Sequence, residues 1–360
     1  MAQVRREGLL ERRMPSYIVR IAINLALLAA GWTAFVLVGD SWWQMITAGY
    51  LAVIFAQTGF LGHDAGHKQI FRSRRANDIA GMLHGNLGIG LAYGWWVDKH
   101  HRHHAHPNQE GHDPDIEVEA LAFTEAQSGR RRGFRRWLAR YQAHLFFPML
   151  LLEGLALHVA SVRGLTRPAY RARRREVLLL ALHAAAYLGV VFLVLSPVRA
   201  LVFIAVQQGL FGLYLGSAFA PNHKGMPILA EDDQEDFLRR QVLTSRNVRG
   251  GWFVDTLLGG LNYQIEHHLF PNMPRSALRR AQPLVRAHCL AEGLPYAETT
   301  LIDSYRQALR HLRTVGRGDQ PSRLVGGDLD HALPVTGSTP ADAFAGGAAA
   351  GPRPGESDGR

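Results

Sequence analysis

Histidine side chains recur at helical spacing in three short segments of the 360-residue chain. The segments read HDAGH, HHRHH and QIEHH. Side chains three and four residues apart lie on one face of a helix, so each segment presents its nitrogen and oxygen donors together. The spaced residues are His63, His67, His100, His103, His104, Gln264, His267 and His268. Convergent imidazoles of this kind predict a metal site.

The donor types narrow the choice of metal. Imidazole without thiolate suits zinc, copper, iron or nickel. The H-E-x-x-H signature of a zinc protease is absent, because Asp64 follows His63. Seven histidines and a glutamine are too many ligands for one ion, so they predict two. Five acidic residues beside them are candidates for holding the distal N–H groups of the ligands. They are Asp64, Asp98, Asp113, Asp115 and Glu266.

Four apolar segments have about the 20 residues that a helix needs to cross a bilayer. They are 17–38, 44–62, 177–195 and 200–220. Arginines precede the first segment, follow the second and fill the stretch between the pairs, whereas the turns GDSW and SPVR hold one arginine between them. Cytoplasmic loops carry this excess. The pattern predicts an all-α integral membrane protein with four spanning helices in two hairpins. Both termini and a helical cap with the dimetal site are expected on the cytoplasmic side.

The remaining segments complete this plan. We expect a basic lead at 1–16, a membrane domain at 17–315 with cytoplasmic or interfacial parts at 63–176 and 221–315, and a disordered tail at 316–360. Two further apolar segments, 79–97 and 145–162, either lie in the interface or re-enter the bilayer.

Charge and cysteine content exclude other classes. The net charge is +10, but the arginines flank apolar segments, which favours anionic lipid over nucleic acid as their partner. The single Cys289 excludes an intramolecular disulfide and a thiolate metal cage. The first apolar run is followed soon by a second and lacks a small-residue cleavage site, so we expect no cleaved signal peptide.

At these residues the chain resembles the membrane fatty-acid desaturases, which carry three histidine boxes. The boxes stand here as His63-D-A-G-His67, His100-H-R-His103-His104 and Gln264-I-E-His267-His268. The glutamine within NYQIEHHLFPNMP, together with WWVDKHHRHHAHPN and HDPDIEV, is similar to the front-end subgroup. That subgroup inserts double bonds between an existing one and the carboxyl end. The similarity covers about residues 61–311.

The resemblance implies cofactors, a further ligand and partners. It implies two iron ions, dioxygen as co-substrate, and a cis double bond introduced into a fatty acyl chain carried on CoA, carrier protein or lipid. His223, in FAPNHKGM, matches a further metal-binding histidine of the family. Many front-end enzymes carry a fused cytochrome b5 domain with an H-P-G-G motif, which this sequence lacks. Two electrons are therefore expected from a separate ferredoxin, cytochrome b5 or reductase that docks on the basic face.

Other functions compete with this one. Another diiron membrane lipid oxygenase, such as a hydroxylase, ketolase or sphingolipid desaturase, would carry the same boxes. A metal transporter would need polar residues inside its spans, and these spans hold few ionisable groups. A haem-binding membrane cytochrome would place paired histidines within facing spans, and His183 alone lies inside a predicted span.

Overall fold

The computed structural model describes residues 1–166 and 173–318, which fold into α-helices, one π-helical segment and two short strands. The elements in chain order are α1 (Ala2–Arg6), α2 (Met14–Val38), α3 (Gln44–Gly66), α4 (Arg74–Met82), the π-helical segment (Leu83–Gly88), α5 (Tyr93–Ala105), α6 (Glu125–Arg130), α7 (Gly133–Leu150), α8 (Glu153–Leu165), α9 (Arg173–Val194), α10 (Pro197–His223), α11 (Phe237–Leu243), β1 (Asn247–Arg249), α12 (Trp252–Leu257), α13 (Gln264–Leu269), α14 (Arg275–Ala291), β2 (Glu298–Thr300) and α15 (Leu301–Arg317). The predicted tail overlaps the end of α15 at 316–317, and its residues from 319 onward lie outside the described part of the chain.

Four of the described helices, α2, α3, α9 and α10, are long and apolar enough to cross a membrane. They occupy the four segments that the hydropathy pattern predicts. Two of them continue past the predicted C-terminal ends, α3 to Gly66 and α10 to His223. The first histidine segment and His223 are therefore the continuation of apolar helices, which fixes their side chains on rigid elements.

The long helices share one apolar core. Helix α3 packs against both α2 and α10. Within the core the Phe55 ring meets the rings of Tyr187 and Phe211 at centroid distances of 6.3 and 6.0 Å. Helices α2 and α9 face outward instead, and the side chains of Leu37 and Leu193 are 81 % and 87 % exposed. The outer surface of these helices thus carries large apolar side chains.

A sharp bend separates α7 from α8 in the apolar segment 145–162, where the two helix axes meet at 84°. The bend packs directly on α10 at Gly212. A Cβ atom there would lie 2.4 Å from the amide nitrogen of Gly154 and 2.8 Å from the carbonyl oxygen of Leu150. Such distances exclude any side chain larger than hydrogen. This close approach brings Glu153, the first residue of α8, beside α10.

Two strands depart from the expected all-α class. β1 and β2 pair in parallel, with Asn247 opposite Glu298. Each strand has three residues, which is too short to produce a recognisable alternation of apolar and polar side chains. The pair ties the segment before α13 to the start of α15, and thereby helps to fix the third histidine segment.

Candidate metal centre

Four imidazoles from three separate helices form a first cluster. His63 lies in the last turn of α3 and His67 directly follows that helix, His100 comes from α5 and His267 from α13. One ring nitrogen of each lies within 4.8 Å of those of the others, and all four side chains are buried. The Nε2 atoms of His63, His67 and His267 have no hydrogen-bond partner in the described part of the chain. Buried nitrogens left without partners in this way are suited to bind one metal ion in common.

A second cluster consists of His103, His223 and His268. The Nε2 atom of His223 lies 3.3 Å from that of His103 and 3.1 Å from that of His268. An ion bound by imidazoles at about 2.1 Å keeps its ligand nitrogens roughly 3 Å apart, so this spacing suits a shared metal. The cluster unites residues of α5, α10 and α13.

The hydrogen bonds at Nδ1 show which nitrogens of the second cluster face inward. His223 donates from Nδ1 to the carbonyl oxygen of Thr244 at 3.0 Å, and His268 donates to Oε1 of Gln241 at 2.8 Å. His103 donates to the Asp113 carboxylate at 3.0 Å. These acceptors carry no hydrogen of their own, so in the neutral form of each ring Nε2 retains its lone pair. Three lone pairs directed at one another repel unless a cation lies between them.

Gln264 joins the second cluster. Its Nε2 lies 2.8 Å from Nε2 of His223, while its buried Oε1 has no partner among the described residues. Rotation of the amide by half a turn would direct the oxygen, a metal ligand, at the same imidazoles. The glutamine side chain therefore lies where it can contribute an oxygen donor to this cluster.

The second histidine segment divides between the clusters. His100 belongs to the first and His103 to the second. Three residues along a helix rotate the side chain by about 60° from its starting direction, which is enough to separate the two rings. His104 lies between the clusters: its Nε2 is 3.1 Å from that of His100, and its ring stacks on His268 at 4.1 Å. The helical face of α5 therefore connects the two clusters.

Two of the five predicted carboxylates, Asp113 and Asp64, lie within 3.3 Å of Nδ1 of a clustered imidazole. Asp113 also accepts from the amide of Asn108 at 2.8 Å, which holds it in place for His103. Asp64 lies 3.3 Å from Nδ1 of His63 and pairs with the guanidinium of Arg275 at 2.7 Å.

The remaining carboxylates differ in their surroundings. Asp115 lies 3.5 Å from Nδ1 of His103 and pairs with Lys99. Asp98 forms a surface ion pair with Arg102, and Glu266 accepts hydrogen bonds from Tyr296 at 2.6 Å and Asn247 at 2.7 Å. Burial raises the pKa of Glu266 to about 7.

Burial also keeps most of the imidazoles neutral. Desolvation, followed by repulsion from neighbouring imidazoles, holds the pKa of His100, His104 and His268 well below the usual range. His103 differs, because attraction by Asp113 and Asp115 outweighs desolvation and raises its pKa. A metal binds the neutral form of imidazole, so the buried site favours the form that can bind.

A cavity of about 240 Å³ adjoins both clusters. Gln264 and four of the clustered imidazoles form part of its wall. Most of the remaining wall is apolar, and includes Ile89, Leu91, Leu157, Leu215 and Phe219. A narrow apolar cavity beside a metal-binding site can hold a chain of methylenes against it.

Sequence reasoning missed several residues of this region. Lys99 and Lys224 line the cavity, and each is the chain neighbour of a clustered histidine, which is the one signal that marks them. Glu153 also lines it, and Arg275 holds Asp64 from 211 positions away. Their roles depend on contacts between distant segments, which spacing does not reveal.

The chain is thus a helical protein with a buried polyhistidine site beside an apolar cavity. The family model for fatty acid desaturase matches residues 40–300. The chain belongs to this family, and the resemblance seen in the histidine boxes is confirmed.

Three curated relatives are 31 to 33 % identical to the chain over the aligned residues. The acyl-lipid (9-3)-desaturase of Physcomitrium patens is 31 % identical, with 86 % of this chain and 60 % of the relative covered. Two relatives come from Caenorhabditis elegans. The Delta(5) fatty acid desaturase fat-4 is 32 % identical over 84 % of this chain and 69 % of its own length. The Delta(6)-fatty-acid desaturase fat-3 is 33 % identical over 76 % and 65 %. The chain thus spans 60 to 69 % of the length of these relatives.

Proposed function

We propose that the chain is a front-end fatty acyl desaturase that uses two iron ions, dioxygen and two external electrons to introduce a cis double bond. The observation that carries this proposal is the pair of imidazole clusters that open onto one apolar cavity. The names of the relatives support it, since they are desaturases acting at positions counted from the carboxyl carbon. The reaction converts two adjacent methylenes and dioxygen, with two electrons and two protons, into an alkene and two waters.

Some of the site residues would bind the metal ions, and others would hold the binding residues in position. The first cluster with His104 would hold one ion, and the second cluster with Gln264 would hold the other. Iron bound there supplies the oxidising power that unactivated C–H bonds require. Asp113 orients His103, and the Trp96 ring stacks on His100 with centroids 4.5 Å apart. The apolar cavity wall excludes water and aligns the acyl chain beside the imidazoles.

The exposed apolar helices and the arginine-rich segments support a proposal for how the enzyme lies in a membrane. We place α2, α3, α9 and α10 across a membrane, because their exposed apolar side chains need a lipid surrounding. Arginine-rich segments then put both termini and the metal centre on the cytoplasmic side. A separate ferredoxin, cytochrome b5 or reductase delivers the electrons there.

The test is the fatty-acid profile of cells that express the chain, measured by gas chromatography-mass spectrometry with localisation of double bonds. The intact protein should form a new double bond, and a His103→Ala, His267→Ala variant should not. His288→Ala is the matched control, because His288 is exposed and pairs only weakly with Glu292 at 3.9 Å. Hydroxylated products would replace this proposal with hydroxylation. Iron in the purified protein, absent from the double variant, tests the cofactor separately.

A further inference from the structure

Besides the imidazoles, four side chains of the lysine, aspartate and glutamate types interrupt the apolar wall of the cavity. Lys99, Asp115, Glu153 and Lys224 all line it. They come from α5, the segment after it, the start of α8 and the residue that follows α10. Charged groups are costly beside apolar surface unless they have partners. Their convergence from four segments indicates a built polar site within the cavity.

The two lysines keep hydrogen-bond donors to spare. Lys99 pairs with the Asp115 carboxylate, and Lys224 donates to the backbone carbonyl oxygen of Asp115 at 2.8 Å. The ammonium of Lys224 also lies 4.1 Å from the centre of the Phe123 ring. Each ammonium has three N–H groups, and these contacts use one hydrogen bond apiece. The Lys99 and Asp115 side chains remain 29 % and 33 % exposed at the cavity wall, so a ligand can reach them.

Glu153 provides a second indication of a ligand. Its side chain lines the cavity directly after the bend between α7 and α8. No group in the described part of the chain donates a hydrogen bond to it. The Glu153 carboxyl group is half-buried at the cavity wall, so it is free to accept a hydrogen bond from a ligand held there.

The polar site lies close to the metal centre. The Asp115 carboxylate, which pairs with Lys99, is 3.5 Å from Nδ1 of His103, and Lys224 donates to the backbone carbonyl oxygen of the same residue. C–C bonds of about 1.52 Å at tetrahedral angles advance an extended chain by about 1.25 Å per carbon. A polar group bound at the lysines therefore places the first several carbons next to it beside the imidazoles.

We propose that Lys99, Lys224, Asp115 and Glu153 form a subsite for the carbonyl end of the acyl substrate, in which the ammonium groups donate to the thioester or ester oxygen. This inference rests on the proposed function and adds the device that sets the distance from the carbonyl to the double bond. Lysine is rare in this chain, occurring only at 68, 99 and 224. Two of the three lysines stand at this subsite.

Lys68 offers a matched control. Like the other two it neighbours a clustered histidine, but it pairs with Asp78, donates to the Tyr93 hydroxyl at 3.0 Å and is not part of the cavity wall. Lys68→Met therefore removes one positive charge next to a clustered histidine, as Lys99→Met and Lys224→Met do, but outside the cavity wall.

The test compares ligands that differ in the carbonyl. Purified full-length protein is titrated with oleoyl-CoA and S-oleyl-CoA, and with 1-oleoyl and 1-O-oleyl lysophosphatidylcholine, which all carry the existing double bond of a front-end substrate. We expect the carbonyl-bearing member of at least one pair to bind about tenfold more tightly. The pair that shows the preference identifies the acyl carrier. The preference should fall below twofold in Lys99→Met and Lys224→Met and persist in Lys68→Met.

The affinity for the carbonyl-free ligand reports whether a variant is folded. If a methionine variant binds neither ligand, Lys99→Arg and Lys224→Arg test the subsite instead. Arginine keeps the positive charge of lysine but places its N–H donors at a different position. Those variants should move the double bond along the chain, and an unmoved double bond would overturn the inference. Equal carbonyl preference in wild type and methionine variants would overturn it as well. Binding requires no turnover, so a lysine-dependent preference without any alkene product would refute the proposed desaturation and leave the subsite standing.

Discussion

Gly66, the last residue of α3, lies in the first histidine segment where the Trp96 ring crosses the helix. A Cβ atom at this position would be 2.6 Å from Cζ3 of Trp96, and the backbone conformation there is open to alanine. Carbon atoms in contact prefer about 3.5 to 4.0 Å, so Gly66→Ala must displace the indole by about 1 Å. The displaced ring is the one that stacks on His100, so the perturbation reaches the first cluster.

The magnitude follows from a comparison with Gly49→Ala in the same helix. A Cβ atom at Gly49 would meet its nearest neighbour, a Leu210 methyl, at 3.8 Å, which is ordinary contact. Overpacking costs about 1 to 3 kcal/mol, and this cost should separate the two variants in free energy of unfolding. Displacement of a positioning group by about 1 Å can reduce activity by up to about a hundredfold, so we expect Gly66→Ala to lose between ten- and a hundredfold.

The assay is the fraction of desaturated fatty acid formed in cells, with melting temperature and iron content of the purified variants beside it. Gly49→Ala should match the wild type in all three. Adding Trp96→Phe to Gly66→Ala removes the clashing atoms and should restore stability more than the sum of the single changes predicts. Wild-type activity and melting in Gly66→Ala, or no such recovery in the double variant, would refute the reasoning.

Three further predictions concern the groups around the ligands. Asp113→Asn should weaken metal affinity by about 10- to 100-fold, because the histidine loses its charged acceptor. Metal titration against the exposed control Asp232→Asn checks this, and equal affinities would contradict it. Gln264→Ala should lower bound metal toward half of the wild-type value, measured by plasma mass spectrometry, whereas complete loss would mean that the clusters do not bind independently. Arg275→Met leaves the buried Asp64 carboxylate without its counter-ion and should cost about 3 to 5 kcal/mol in chemical denaturation. A combined Asp64→Asn, Arg275→Met change should recover part of that loss, and the absence of recovery would rule out the pairing.

The long helices and most of the candidate metal ligands can be predicted from the amino-acid sequence. Hydropathy over some 20 residues is a local property, so the positions of α2, α3, α9 and α10 follow from it directly. Helical spacing is local as well, and it marked the histidines at 63, 67, 100, 103, 104, 267 and 268 as ligand candidates. His223 has no spaced partner, and only the family resemblance pointed to it.

Which histidines belong to the first cluster and which to the second depends on the packing of the folded chain. Spacing placed His100 and His103 on one helical face, but the ends of α3, α10 and α13 meet that face from different sides and divide the two rings between clusters. Glu153 likewise reaches the cavity wall shared with Lys99, Lys224 and Asp115 because the bend after α7 packs on Gly212 of α10. Periodicity specifies which way a side chain points from its own helix. The neighbour that it meets depends on packing between segments far apart in the chain, which only the folded protein establishes.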